Sequence, residues 1–265
     1  IEERYKANSR EIVQTPWTQI NEILQGGLGN GDFGLIFGNP GGGKSWSLVA
    51  LGGYAVRMGY NVLHYTLELG EDYVGRRYDA FFTKVPVDRI LKSREKVEEV
   101  IPKLPGELII KEFPTGRATI STIESHIRKV TDLGINPDLV IIDYVDLLST
   151  KKRTADRKGE IDDIYTSTKG LAYDKIMITD FCMSLSRKAK DKVNGTGRFH
   201  IMKNRYGIDG LTFGVKADTS TGHFEVTDYD PDEEFESEVS NPNNNKSYDD
   251  FDSFDKKVLK DKFFE

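Results

Sequence analysis

One cysteine stands among 265 residues. A lone Cys182 cannot form an internal disulfide, so packing must hold the fold, and a reducing, cytoplasmic setting is expected. Its neighbours Ile178, Phe181 and Met183 point to a buried structural thiol rather than a nucleophile. Histidine is also scarce. His64, His126, His200 and His223 are scattered without the spacing that gathers ligands around a transition metal, and each is expected to be structural. No apolar run approaches the roughly 20 residues that cross a bilayer, so no membrane partner is expected. The opening residues, Ile1-Glu2-Glu3-Arg4-Tyr5-Lys6, lack the apolar centre of a secretory leader.

With 37% hydrophobic and 30% charged residues, the chain has the composition of a globular protein with one large domain. Its net charge of −6 is unevenly spread. Residues 228–265 hold 13 acidic and 5 basic side chains, whereas the rest holds 30 acidic and 32 basic. The body is thus near neutral and the acidity sits in a tail, which leaves room for a local basic patch that binds nucleic acid.

The chain is organised around Gly38-Asn39-Pro40-Gly41-Gly42-Gly43-Lys44-Ser45, which fits the phosphate-loop pattern G-x-x-x-x-G-K-[ST]. Glycines let several backbone N–H groups turn inward around a phosphate without a Cβ in the way. Lys44 is expected to reach the β- and γ-phosphates of ATP, the Ser45 hydroxyl to ligate Mg²⁺, and the helix opening at Trp46 to add its amino-terminal dipole. The context agrees. Phe33-Gly34-Leu35-Ile36-Phe37 reads as a buried strand before the loop, and Ser47 through Met58 as a helix after it.

A helical stripe at Trp17, Ile20, Ile23 and Leu24 precedes this unit and stops at Gly26-Gly27. Residues 1–16 read as a linker or arm. Asn61–Leu67 is the next strand, so the unit is a right-handed βαβ crossover in a parallel sheet. Glu68 follows at the strand's carboxyl end, where ligands of open α/β sheets sit. There it can orient and deprotonate water; its plainer reading is a solvated strand-end carboxylate. Further helices are expected over 71–82, with Arg76 and Arg77, and over 87–101, then a strand over 108–113 and a helix over 119–133. Asp138-Leu139-Val140-Ile141-Ile142-Asp143-Tyr144 is an apolar run ending in a carboxylate, the pattern in which Asp143 holds Mg²⁺ together with Ser45. Asp146 is a candidate supporting residue.

Lys151–Lys158 read as a basic loop, 160–173 as a helix, 176–186 as a strand and 190–195 as a polar turn with Asn194-Gly195 at its tightest point. Residues 198–202 and 211–216 form a hairpin around Lys203-Asn204-Arg205-Tyr206-Gly207, closed by a strand at Glu225-Val226. The Lys203/Arg205 pair is either a solvated turn or a charge donor to a phosphate outside its own subunit. From Asp228 the composition turns to Asp, Glu, Asn and Ser, and 230–250 are expected to be disordered. Phe251, Phe254, Val258, Leu259, Phe263 and Phe264 then share one helical face, either a docking peptide on a tether or a helix folded back on the same domain.

From Ile1 to about Val226 these motifs resemble the RecA-like motor domain of DnaB-family replicative helicases, particularly those of phages. The resemblance rests on Trp17–Leu28, the loop at 38–45, Tyr65-Thr66-Leu67-Glu68-Leu69, Val140–Tyr144 and Met202-Lys203-Asn204-Arg205-Tyr206-Gly207. It implies an α/β fold: a RecA-like P-loop core with a mostly parallel central sheet and a carboxyl-terminal antiparallel hairpin. It also implies Glu68 as catalytic base, and Arg205 with Lys203 as a finger on the neighbouring subunit's nucleotide. A ring, expected to be a hexamer, would translocate on single-stranded DNA, with the acidic tail docking a primase, helicase loader or other replisome protein. A RecA/RadA-like recombinase filament and a non-motor RecA-like ATPase share the loop and stay open. Residues 1–16 are then an arm, 17–227 the motor domain and 228–265 the tail.

The chain departs from that family at one place. A strand ending in a polar sensor residue, followed by a DNA-binding loop, is expected after the helix containing Gly170-Leu171-Ala172, yet Asp174 passes straight to Lys175-Ile176-Met177-Ile178. A parallel sheet loses a central strand at the cost of unpaired backbone groups. The expectation is that the numbering joins two segments across residues it does not include. The amino-terminal domain of bacterial replicative helicases is likewise not in this sequence.

Overall fold

The computed structural model describes residues 12–29, 31–150, 157–174 and 181–229. The arm before Ile12, the basic loop over 151–156, residues 175–180 and the tail from 230 onward lie outside the described residues. By its internal contacts the chain divides into Ile1–Asp228 and Tyr229–Glu265.

In chain order the elements are β1 Ile12–Val13, α1 Thr18–Ile23, β2 Leu28–Gly29, β3 Gly34–Gly38, α2 Lys44–Arg57, β4 Val62–Thr66, α3 Glu71–Thr83 and α4 Arg94–Val100. Then come β5 Leu108–Glu112, α5 Ile120–Asp132, β6 Leu139–Asp143, α6 Arg157–Asp174, β7 Phe181–Ser186, α7 Ala189–Asn194, β8 Thr196–Asn204, β9 Thr212–Asp218 and β10 His223–Asp228. The architecture is α/β, but its strands fall into two main sheets. One has the order β10-β9-β8-β7-β3, with β3 and β7 parallel and the other pairs antiparallel. The other, β5-β4-β6, is wholly parallel. A short antiparallel β1–β2 pair completes the set. Among the described residues the sheet expected to be continuous is interrupted between β3 and β6, and the strand expected after Asp174 is not in the sequence.

Local chemistry explains the elements that position the site. β4 is buried at every residue and β6 at all but Ile142, as strands covered on both faces must be. Helix α2 packs closely on α3 because Gly52 and Gly53 leave room for Tyr78 and Phe81. Thr119 caps α5 in a reciprocal box with Thr122, and Ile123, Ile127 and Val130 form its buried stripe. Trp17, just before α1, meets Phe199 of β8 edge-on at 5.0 Å, which ties the amino-terminal turn to the antiparallel strands.

Two readings are corrected. The helix expected over 87–101 is broken into a 3-10 turn at Ile90–Lys92, α4 and a second 3-10 turn at Ile101–Lys103. Ser93 leaves helical geometry and its hydroxyl donates to the Arg89 carbonyl, the competition with the backbone that makes serine a boundary residue. The polar turn expected over 190–195 is instead the helix α7. Asp191 accepts from the Lys188 N–H at its start, and Gly195, at φ 68°, takes the left-handed conformation that ends helices. Asn194-Gly195 marks a helix stop rather than a tight turn.

Candidate active site

The phosphate loop bridges β3 and α2 as expected. Gly41 and Gly43 have φ values of 72° and 105°, which side chains disfavour. The Gly42 N–H donates to the Asn39 carbonyl at 2.8 Å. A Cβ on Gly38 would sit 2.8 Å from the Leu185 carbonyl oxygen, and one on Gly42 would sit 2.9 Å from that of Asn39, so the loop is too close to its own backbone and to β7 for any larger residue. Asn39, Pro40 and Gly41 are exposed, leaving the concave face open to a ligand. Ser47 steadies the first turn of α2 through its hydroxyl, 3.1 Å from the Gly43 carbonyl.

Sheet register brings the carboxylates to this loop. Thr66 pairs with Asp143, and the Leu67 N–H donates to the Asp143 carbonyl at 2.9 Å. Glu68 follows, exposed at the carboxyl end of β4. Asp143 is 3% exposed. Burial pushes its carboxyl above the usual range, against a Ser45 hydrogen bond and the nearby cations Arg77 and Lys44. The Lys44 ammonium lies 5.6 Å from the centre of the Tyr144 ring. Thus Lys44, Ser45, Asp143 and Glu68 converge. Asp146 accepts instead from the Tyr165 hydroxyl at 2.6 Å, a link to α6. Trp46 turns toward the body, against the position of Gly222.

Fit to the expected metal is testable on the donors themselves. Ser45 and Asp143 offer hard oxygens that act on one another, the donor type Mg²⁺ takes while keeping several waters and substrate phosphates. Among the described residues no three His, Cys, Asp or Glu side chains gather to enclose a metal. The histidines have local partners: His64 with Tyr78, His126 with Tyr65, His200 with Thr212 and His223 with Thr221. The Cys182 backbone pairs within the sheet, and its side chain lies outside what is described.

Two cations carried no assigned role in the sequence reading. Arg77 places its guanidinium 5.0 Å from the Trp46 ring, partly buried, with burial lowering its pKa and Asp143 and Glu68 opposing that shift. The charge of Arg77 therefore faces both carboxylates. Lys192 of α7 brings its ammonium 3.2 Å from where a Cβ on Gly41 would lie. The signal for Arg77 was its helical phase after Glu68. Lys192 had no such signal, because α7 reaches the loop only through the pairing of β7 with β3.

Lys203 and Arg205 lie elsewhere. Lys203 pairs with Cys182 near the start of β7, while Gly38 at the loop pairs with Leu185 near its end. The register separates them by about 10 Å along the sheet, before the loop itself is added. The exposed Arg205 heads a turn tied to the amino-terminal segment: Asn204 donates to the Ile23 carbonyl at 2.8 Å, Gln25 to the Tyr206 carbonyl at 2.7 Å, and the Tyr206 hydroxyl to Asp32.

The family model of the DnaB-like helicase C-terminal domain aligns with residues 13–208. A DnaB-like replicative helicase of Enterobacteria phage T4 is 26% identical over 162 residues, covering 58% of this chain and 33% of the relative. The chain therefore spans about a third of that relative's length. A solved DnaB-like replicative helicase, studied with its interactions with primase, superposes with a TM-score of 0.70 at 17% identity over 86% of this chain and 66% of that one. The ATPase domain of G40P does so with a TM-score of 0.69 at 17% identity, over 86% and 96%. These two likenesses speak for the fold, and the family match covers well over half of the chain: the chain belongs to the DnaB-like helicase C-terminal domain family.

Proposed function

We propose that residues 17–227 form the ATP-driven motor of a replicative DNA helicase, acting in the cytoplasm of a bacterial or phage-infected cell on single-stranded DNA as a ring, expected to be a hexamer. The placement of Lys203 and Arg205 carries the reading. They stand at the opposite end of the sheet from their own phosphate loop, which supports a role at a neighbouring subunit's nucleotide rather than at their own.

Lys44 and the backbone of Gly38–Gly43 bind the phosphates of ATP. Ser45 and Asp143 would hold Mg²⁺, which would supply positive charge to offset that of the phosphates. Glu68 orients a water for in-line attack and takes its proton. Arg77 keeps the two carboxylates from repelling each other. Arg205 from the next subunit, with Lys203 beside it, neutralises charge that develops on the transferred phosphoryl group, a contribution on the order of 10³–10⁵ in rate. The tail from 228 is assigned to docking a primase, loader or other replisome protein.

The test is steady-state ATPase with and without single-stranded DNA, with the assembly mass read in the same buffer. Strong stimulation in a closed ring supports the motor. DNA-indifferent hydrolysis by a monomer or dimer replaces it with a non-motor ATPase, and an open filament replaces it with a recombinase. Arg205→Ala should abolish hydrolysis while leaving nucleotide binding in place.

A further inference from the structure

Glu68 stands just beyond the last paired residue of β4. The register of that strand with β5 and with β6 ends at Thr66, so the peptide groups around Glu68 have no ladder partners and must find others. Three contacts supply them. The Leu67 N–H donates to the Asp143 carbonyl at 2.9 Å. The buried Thr66 hydroxyl donates to the Leu69 carbonyl at 2.7 Å and accepts from the Leu69 N–H at 3.2 Å, which closes 66–69 into a turn with Glu68 exposed on it. The Leu67 carbonyl accepts from the Thr115 hydroxyl at 2.7 Å.

Thr115 lies on the loop between β5 and α5, and that loop is braced on its other side. The Gly116 N–H donates to the Leu147 carbonyl at 3.0 Å, and the Ser149 N–H to the Ala118 carbonyl at 2.8 Å. The Ser149 hydroxyl donates to the Gly116 carbonyl. Gly116 has φ 70°, a conformation that glycine takes without strain. Residues 147–149 follow β6 and Asp143 in the chain. The loop is therefore fixed to the segment after one carboxylate and holds the peptide just before the other.

The Thr66 clamp shapes the turn from within but does not set where the turn sits. Thr115 and the Asp143 carbonyl do that from outside. A general base works only with its oxygen in hydrogen-bond reach of the water it deprotonates, and a group on a turn keeps that geometry only when supporting contacts fix it. We propose that Thr115 is a positioning residue for hydrolysis: its hydroxyl, on a loop braced to 147–149, sets the placement of Glu68 relative to Asp143. The side chain is exposed, so its part in core packing is small. This role rests on the motor reading, in which Glu68 is the base.

The test is steady-state ATPase of the full 265-residue chain with Mg²⁺ and single-stranded DNA. Thr115→Val keeps the side chain's shape and removes its hydroxyl. It should lower kcat about tenfold while KM for ATP stays within about twofold, because the contacts that hold the phosphates are untouched. Thr115→Ser keeps the hydroxyl and should recover most of the lost rate. Urea unfolding of each variant, read in parallel, should show the midpoint of the original chain. An unchanged kcat in Thr115→Val overturns the proposal, as does a serine variant as slow as the valine one. A fall in kcat that comes with a lowered urea midpoint assigns the hydroxyl to holding the loop together and also overturns it. Glu68→Gln keeps the two levels apart. If that variant hydrolyses ATP at the original rate, the base assignment fails and the positioning role with it. If it stops hydrolysis while Thr115→Val leaves the rate intact, only the positioning role fails.

Discussion

His64 makes the stability of this domain depend on pH in a direction that can be worked out in advance. It stands on β4 with 1% of its surface exposed. Its Nδ1 lies 2.8 Å from the Tyr78 hydroxyl, and the two rings meet edge-on at 5.6 Å. Burial, with the charge of Arg77 adding to it, pushes the imidazole pKa down to about 3. In the unfolded chain a histidine titrates near 6.5. Between these values the unfolded chain holds a proton that the folded one does not, so stability falls as pH falls below about 6.5. The loss from this residue is about 1.4 kcal/mol at pH 5.5 and about 2.1 kcal/mol at pH 5.0. Other groups contribute as well. The pKa values of Asp143 and Asp79 are raised by burial, so their effect has the opposite sign, whereas those of His126 and His223 are lowered by burial and act with the same sign. A difference measurement removes them. His64→Asn keeps a polar atom near the position of Nδ1 and cannot titrate. Urea unfolding of both proteins at pH 7.5 and 5.5 should show the original chain losing about 1.4 kcal/mol more than the variant. Parallel losses would mean that the imidazole is protonated in the fold, and the reasoning would fail.

Arg77→Met should leave nucleotide binding in place but slow hydrolysis, and the acid limb of the pH–rate profile should move to higher pH because Asp143 loses the facing cation that lowers its pKa; an unmoved limb refutes the assignment. Lys192→Ala should weaken nucleotide binding by about two- to fivefold in low salt, less as salt rises, in titrations with a fluorescent nucleotide, and a salt-independent effect would point to disruption of α7 instead. Gly53→Ala would drive a Cβ into the Phe81 ring and should cost about 1–3 kcal/mol in urea unfolding. Gly170→Ala on α6, with nothing within 4 Å of its Cβ, should instead stabilise by about 1 kcal/mol.

Local chemistry was legible wherever a residue type admits one use. The glycines of 38–43 read as a phosphate cradle because no other residue lets the backbone approach so closely, and the observed φ angles of Gly41 and Gly43 follow. The apolar run into Asp143 read as a buried strand, and β6 is one. The 87–101 helix and the 190–195 turn were misread because serine and glycine serve both as boundaries and as interruptions, and neighbouring geometry decides which. Arg77 was visible as a charge but not as a partner of Asp143, since that meeting requires α3 to pack on α2.

The sequence by itself determined the phosphate loop, the order of strand, loop and helix, the carboxylates at strand ends and the jump at Asp174-Lys175. Each depends on covalent neighbours or on a periodicity within one element. Only the tertiary structure decided that Lys192 reaches Gly41, that Arg205 stands at the far end of the sheet from its own loop, and that Thr115 reaches the peptide before Glu68. Those facts depend on strand order and register, which long-range pairing fixes and no short stretch of chain encodes.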